Sequence, residues 1–447
     1  MRRIAILDAP SNLGLRPPTE TSVPGCAKAP GALRDHGLLA RLHARDAGCL
    51  TPPRYDPGDW RPGDGVCHAT EIAAYSRKLA DRIAAIIDAG EFPVVLGGDC
   101  SIVLGSGLAM NRLGEAVGGR IGLVFVDGHS DFRHPGNASY VGAAAGEDLA
   151  LVTGRGQTDL AAIEGRRPYF RDVDVVVMGI RAQDEYRLDL QAAGIITRPV
   201  PTLRVEGAAR SAQWARDQLV DCAGYWVHVD MDVLDPAVMP AVDAPEPGGI
   251  AFAELELLLA GLVDTPHCLG VEITVFDPDY DPDGAYAEEI TATIVAGLAP
   301  VRTVAARPDL IAARRDLATR HDARSNDARW NDAPLNDARS NDARSNDAFS
   351  EDAPSREFDP AGEARPPGES GPMDSPDREL DDGEDDRDDA VAVPAVGRPL
   401  GSAPLLDSRP LPATRPGMLR PRTVDGFSLP AQRPAFDVGP GEPADIA

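Results

Sequence analysis

Three short stretches of this 447-residue chain place cation-binding side chains just beyond runs of apolar residues. In Val124-Phe125-Val126-Asp127-Gly128-His129-Ser130-Asp131, the residues Asp127, His129 and Asp131 alternate, and a period of two puts all three on one side of an extended segment. Asp230 and Asp232 repeat that arrangement in Val227-His228-Val229-Asp230-Met231-Asp232, with Leu234-Asp235-Pro236 following. The third stretch, Val94-Val95-Leu96-Gly97-Gly98-Asp99-Cys100-Ser101, runs an apolar segment into a Gly-Gly turn and is a weak signal on its own. Carboxylates gathered in apolar surroundings repel one another and rise in pKa unless cations neutralise them. Hard oxygen donors with one or two imidazoles suit Mn²⁺ or a similar ion, and bridging carboxylates allow two ions about 3.5–4 Å apart with a shared water. Any single Asp reads equally well as a turn or helix cap, so it is the pair of clusters that favours cations.

The elements that must position these residues are visible as short β-branched runs at Arg3–Leu7, Pro93–Leu96, Ile121–Val126, Val173–Met178, Tyr225–Val229 and His267–Ile273. Ala- and Leu-rich stretches of helical period, such as Glu71–Ala89 and Ala251–Val263, separate them. Alternation of this kind predicts one α/β domain over residues 1–312, a three-layer α/β/α arrangement with a mainly parallel sheet. Ligand sites in such sheets lie beyond the carboxyl ends of the strands, where the three clusters fall.

The composition narrows the partners. A formal charge of −27, from 71 acidic and 44 basic residues, repels nucleic acid and anionic bilayers. No apolar run approaches the roughly 20 residues of a membrane-spanning helix, and Ile4–Leu7 is too short for a secretory core, so a cytoplasmic protein is expected. Six cysteines without CxxC spacing suggest neither a disulfide framework nor a structural zinc module. From residue 313 the pattern changes. Seven copies of a pentad (HDARS, NDARW, NDAPL and variants) fill 321–355, Asp374–Asp389 carries ten acids, and Pro and Gly dominate thereafter. A period of five matches neither helix nor strand, and a disordered acidic tail over 313–447 is expected.

Taken together, Gly97-Gly-Asp-Cys-Ser101, Asp127-Gly-His-Ser-Asp131 and His228-Val-Asp-Met-Asp-Val-Leu-Asp-Pro236, followed by Pro245-Glu-Pro-Gly-Gly249, resemble the fingerprints of the ureohydrolases, the arginase, agmatinase and formiminoglutamase superfamily. Gly25-Cys-Ala-Lys-Ala-Pro-Gly31 is similar to that family's N-terminal loop, and the resemblance covers about residues 3–305. It implies an arginase/deacetylase-like sheet between helix layers and hydrolysis of a non-peptide C–N bond in a small guanidino or amidino compound. It also implies a trimer or hexamer of identical chains and two Mn²⁺ per chain. Asp127 and Asp230 would bridge the ions, with Cys100 and Asp131 completing one site and His129 and Asp232 the other.

Three positions depart from the family pattern. Cys100 stands where a His ligand is usual, leaving open a thiolate ligand, a shift toward Zn²⁺ or Fe²⁺, or a half-built site. Ala145-Gly146 replaces a His-Gly pair whose His moves a proton to the leaving amine. His228, on the strand face of the ligands, is the candidate replacement acid/base, and a role in merely orienting a ligand carboxylate is as well supported. Val275 replaces a Glu that clamps the guanidinium, leaving Asp243 as the candidate substrate-binding charge and Glu272 as an alternative. A linear-amide hydrolase of deacetylase type and a non-catalytic metal or metabolite binder are the rival readings.

Overall fold

A computed structural model describes residues 2–319 apart from positions 20 and 318; the part of the expected tail from residue 320 on, with the pentads at 321–355, lies outside the described residues. Eight strands form one sheet: β1 (Arg3–Ala9), β2 (Arg45–Cys49), β3 (Glu91–Gly97), β4 (Ile121–Val126), β5 (Val175–Met178), β6 (Ile196–Arg198), β7 (Gly224–Asp230) and β8 (Cys268–Thr274). Their order is β2-β1-β3-β8-β7-β4-β5-β6, and every neighbouring pair is parallel. The chain thus forms the three-layer α/β/α fold.

Apolar side chains leave both faces of the central strands, which is why those strands read as continuous apolar runs. Ile4, Ile6, Val94, Leu96, Val124, Val126, Val227 and Val229 face one layer, where Leu255, Leu258 and Leu262 of the helix Phe252–Val263 and Ile290 and Ile294 of the helix Ala285–Gly297 pack on them. The alternate residues Ala5, Leu7, Val95, Leu123, Phe125 and Trp226 face the helices Ala69–Asp88 and Val103–Val117. In Ala69–Asp88 the buried positions Ile72, Ser76, Leu79, Ile83 and Ile86 recur every three or four residues, giving one apolar stripe. Each such Leu, Ile or Val contributes about 1.5–3 kcal/mol by leaving water.

The sheet edges differ from the centre. β2, Arg-Asp-Ala-Gly-Cys, is mostly exposed, and β6 has three residues. Neither carries the apolar alternation that announces a strand, and short, charged strands are how sheets blunt their edges. A last helix over 308–317 runs across position 312, the expected end of the folded domain. Its Leu310 is buried, and its Arg314 pairs with Asp88 at 2.6 Å. No described helix is long and apolar enough to cross a membrane.

Candidate metal centre

Adjacent strand ends in the order β3-β8-β7-β4 bring the three clusters together. At the end of β3, a side chain on Gly98 would run into the backbone carbonyl of Ser11, so the turn needs glycine. Asp99 serves this turn: its Oδ1 accepts from the Ser101 amide at 2.8 Å and its Oδ2 from the Ser11 hydroxyl at 2.8 Å. Cys100, next in the chain and 1% exposed, reaches past the end of β8. Its Sγ lies 2.5 Å from Asp230 Oδ2 and 3.4 Å from Thr274 Oγ1.

The loops after β4 and β7 are stitched together by hydrogen bonds. The His129 amide donates to Asp127 Oδ1 at 2.6 Å, and the Asp232 amide donates to Asp230 Oδ1 at 2.7 Å. Asp232 joins the two loops, its Oδ2 2.8 Å from His129 Nδ1 and its Oδ1 accepting from the Gly128 amide at 3.1 Å. Arg181, 1% exposed, donates to the carbonyls of Asp232 at 2.9 Å and of Glu246 at 2.7 Å, tying the β7 loop to Pro245–Gly249.

Three groups of ligand atoms result, each with its members within 4.8 Å of one another: Asp127, His129 and Asp232; Cys100, Asp127, His228 and Asp230; and Cys100, Asp131 and Asp148. Among the described residues, Asp127 Oδ2, both Asp148 oxygens and His228 Nε2 are buried without a hydrogen-bond partner. Orphaned acceptors in a nearly all-acidic cluster are what a divalent cation satisfies, so the donor set fits the metal expected from the sequence.

The electrostatics agree. Burial pushes Asp127 far above the carboxylate range, and Asp232, Asp131 and Asp230 push it further. Burial also raises Asp230, with Asp232 adding, while the Cys100 contact opposes. Burial, partly offset by His129, brings Asp131 to about 7. The Cys100 thiol is raised by burial and then by Asp230 and Asp148. Burial alone would lower His129, but its hydrogen bond to Asp232 and the surrounding carboxylates carry it to about 10. Burial opposes the Asp232 charge, yet His129, the Gly128 amide and Arg181 hold it below the usual range.

A cavity of about 490 Å³ opens above this cluster, with Cys100, His129, Asp131, Asp230 and Asp232 on its floor. Asp243, Glu246, Val275, Arg16 and Arg133 also line it. Glu246 Oε2 is 3.4 Å from His129 Nε2. Val275 adopts φ +71°, a left-handed conformation unusual for a β-branched residue.

The ring of His228, the candidate acid/base, is fully buried, stacked on Phe125 at 4.6 Å, and is not among the residues that line the cavity. Its Nδ1 lies 2.9 Å from Glu272 Oε1, and Ser106 donates to the other Glu272 oxygen. This fixes Glu272 beneath the ligands rather than in the cavity. Asp243 lines the cavity. Asp148 and Arg181 escaped the sequence reading. The only signal for Asp148 was an acid directly after Ala145-Gly146-Glu147, and Arg181 lies outside every motif.

A doubly covered parallel sheet with a buried carboxylate and imidazole cluster at its carboxyl edge defines a metal-site α/β protein. The arginase family model matches residues 2–301, and the chain belongs to the arginase family. An arginase of Agrobacterium fabrum is 28% identical over 301 residues, covering 65% of this chain and 89% of that protein. A formimidoylglutamase of Aeromonas salmonicida is 29% identical over 264 residues, covering 59% of this chain and 76% of its own length. The native arginase structure from Bacillus caldovelox superposes with a TM-score of 0.58 at 25% identity, covering 67% of this chain and 99% of that one.

Proposed function

We propose that this chain is a metal-dependent hydrolase, binuclear and loaded with Mn²⁺, that cleaves a non-peptide C–N bond in a small guanidino or amidino compound in the cytoplasm. The observation that carries this reading is that two groups of ligand atoms share the buried Asp127, and that Cys100, His129, Asp230 and Asp232 of those groups line a substrate-sized cavity. Asp127 and Asp230 would hold both ions, His129 and Asp232 one, and Cys100 and Asp131 the other. What the ions supply when bound is acidified water and stabilisation of developing negative charge.

The remaining steps belong to side chains. Asp243 and Glu246 give the wall the charge to orient a cationic guanidinium or amidine, replacing the clamp that Val275 cannot provide. Arg16 and Arg133 suit a carboxylate at the far end of the same molecule, so a guanidino acid fits better than a simple amine. Without a His at 145, the leaving amine must take its proton elsewhere, and Glu246, beside His129 Nε2, is placed to hold it. The resemblance to the family further supports a homotrimer or hexamer.

Incubating the Mn²⁺-loaded chain with guanidino acids, the matching decarboxylated amines and an acetylated amine, while measuring urea, ammonia and acetate, tests this reading. Urea or ammonia from the acids is the expected result. Acetate alone would favour the linear-amide hydrolase, and no product from any compound would favour a non-catalytic binder.

A further inference from the structure

The Cys100 side of the centre contains a carboxylate for which the family pattern provides no task. Asp148 begins the short helix Asp148–Val152, is 0% exposed, and neither of its oxygens meets a donor among the described residues. It is therefore neither a helix cap nor half of an ion pair, the two roles that usually retain a buried acid. One of its oxygens, Cys100 Sγ and an oxygen of Asp131 all lie within 4.8 Å of one another. The three come from separate segments, the turn after β3, the loop after β4 and the helix that follows it, so their convergence is a product of the fold.

We propose that Asp148 is a ligand of the cation on the Cys100 side, where it supplies the donor lost when the usual histidine gave way to a thiol. This rests on the metal-dependent reading above. The exchange also sets the chemistry of the ion. With Asp127, Asp131, Asp148 and Asp230 around it, the site offers hard oxygen donors, which select Mn²⁺ or a similar ion over the softer ions that a thiolate alone would favour.

The test uses the full-length chain and its Asp148→Asn variant, with Mn²⁺ content per chain measured by elemental mass spectrometry across a dialysis series. Melting is recorded in EDTA and in Mn²⁺. The wild type is expected to take up two ions, and the variant to keep one while the other weakens at least ~100-fold, the upper range of losses for groups that only support a ligand. In EDTA the variant should melt no lower than the wild type, because it has lost a buried acid with no hydrogen-bond partner, while its gain on adding Mn²⁺ shrinks. Cys100→His placed on the variant should recover the weakened ion. Two ions held with unchanged affinity, a lower melting temperature in EDTA, or no recovery would each overturn the assignment of Asp148 alone. A wild-type chain that takes up no Mn²⁺ would overturn the metal reading itself.

Discussion

The two sides of the centre share Asp127 but are built differently. On the His129 side the second contacts are in place: Asp232 accepts from Gly128, His129 lies against Asp232, and Arg181 braces the Asp232 carbonyl. On the Cys100 side the acceptors outnumber the donors, and Asp148 and His228 retain unsatisfied atoms. The first side is already organised by hydrogen bonds. The second leaves buried acceptors unsatisfied, so under the proposed metal-dependent reading it is the side whose stability would depend on a cation.

Removing the shared group should have the largest effect. Asp127→Ala is expected to abolish uptake of both ions and to lower turnover by at least ~1,000-fold, as read by elemental analysis and by product release. Loss of only the ion on the Cys100 side would mean that Asp127 serves that side alone.

Changing one side alone should be milder. Cys100→His in the otherwise native chain restores a nitrogen donor and should tighten Mn²⁺ roughly 10-fold on that side, leaving the His129 side unchanged in a two-site titration. Unchanged affinity would mean that position 100 contacts no ion.

The metal-free protein should show the difference as a pH dependence. Burial raises Asp131 to about 7 and also raises Asp127, Asp148 and Asp230, so the folded chain binds more protons than the unfolded one between about pH 4 and 7. Stability from these carboxyls is therefore full at low pH and lost as pH rises through their folded pKa values. In EDTA the melting temperature should fall from pH 5 to pH 8 from this contribution, and Mn²⁺ should flatten the fall. A rise in EDTA would contradict the charge imbalance.

The smallest effect concerns the cavity wall. Val275→Glu should lower KM for a guanidino substrate a few-fold, about 1 kcal/mol of charge-assisted hydrogen bonding, without altering metal content. A change in metal content instead would place residue 275 on the ion side.

The central strands were legible because they are buried on both faces, and Ile121–Val126 appears with the expected limits. Asp127, His129, Asp230 and Asp232 were legible because a period of two at a strand end predicts convergence. The edges β2 and β6 were hidden because an edge strand has little apolar surface to display. Asp148 was hidden because its partners are close only through tertiary structure, and the depth of His228 was hidden because sharing a strand face with ligands does not specify depth. Facing the helix Val103–Val117 puts it below the ligands, on Phe125, rather than above them.

The buried Arg181 has a thermodynamic consequence. By holding the carbonyls of Asp232 and Glu246 with one planar guanidinium, it makes the ion loop and the rim loop parts of one lever. Under the proposed reading, a molecule that draws in Glu246 would tighten the grip of Asp232 on an ion, and reciprocity would require the ion to favour that molecule by the same factor. Substrate and cation would then be mutual effectors, and Arg181→Lys is the change expected to uncouple them.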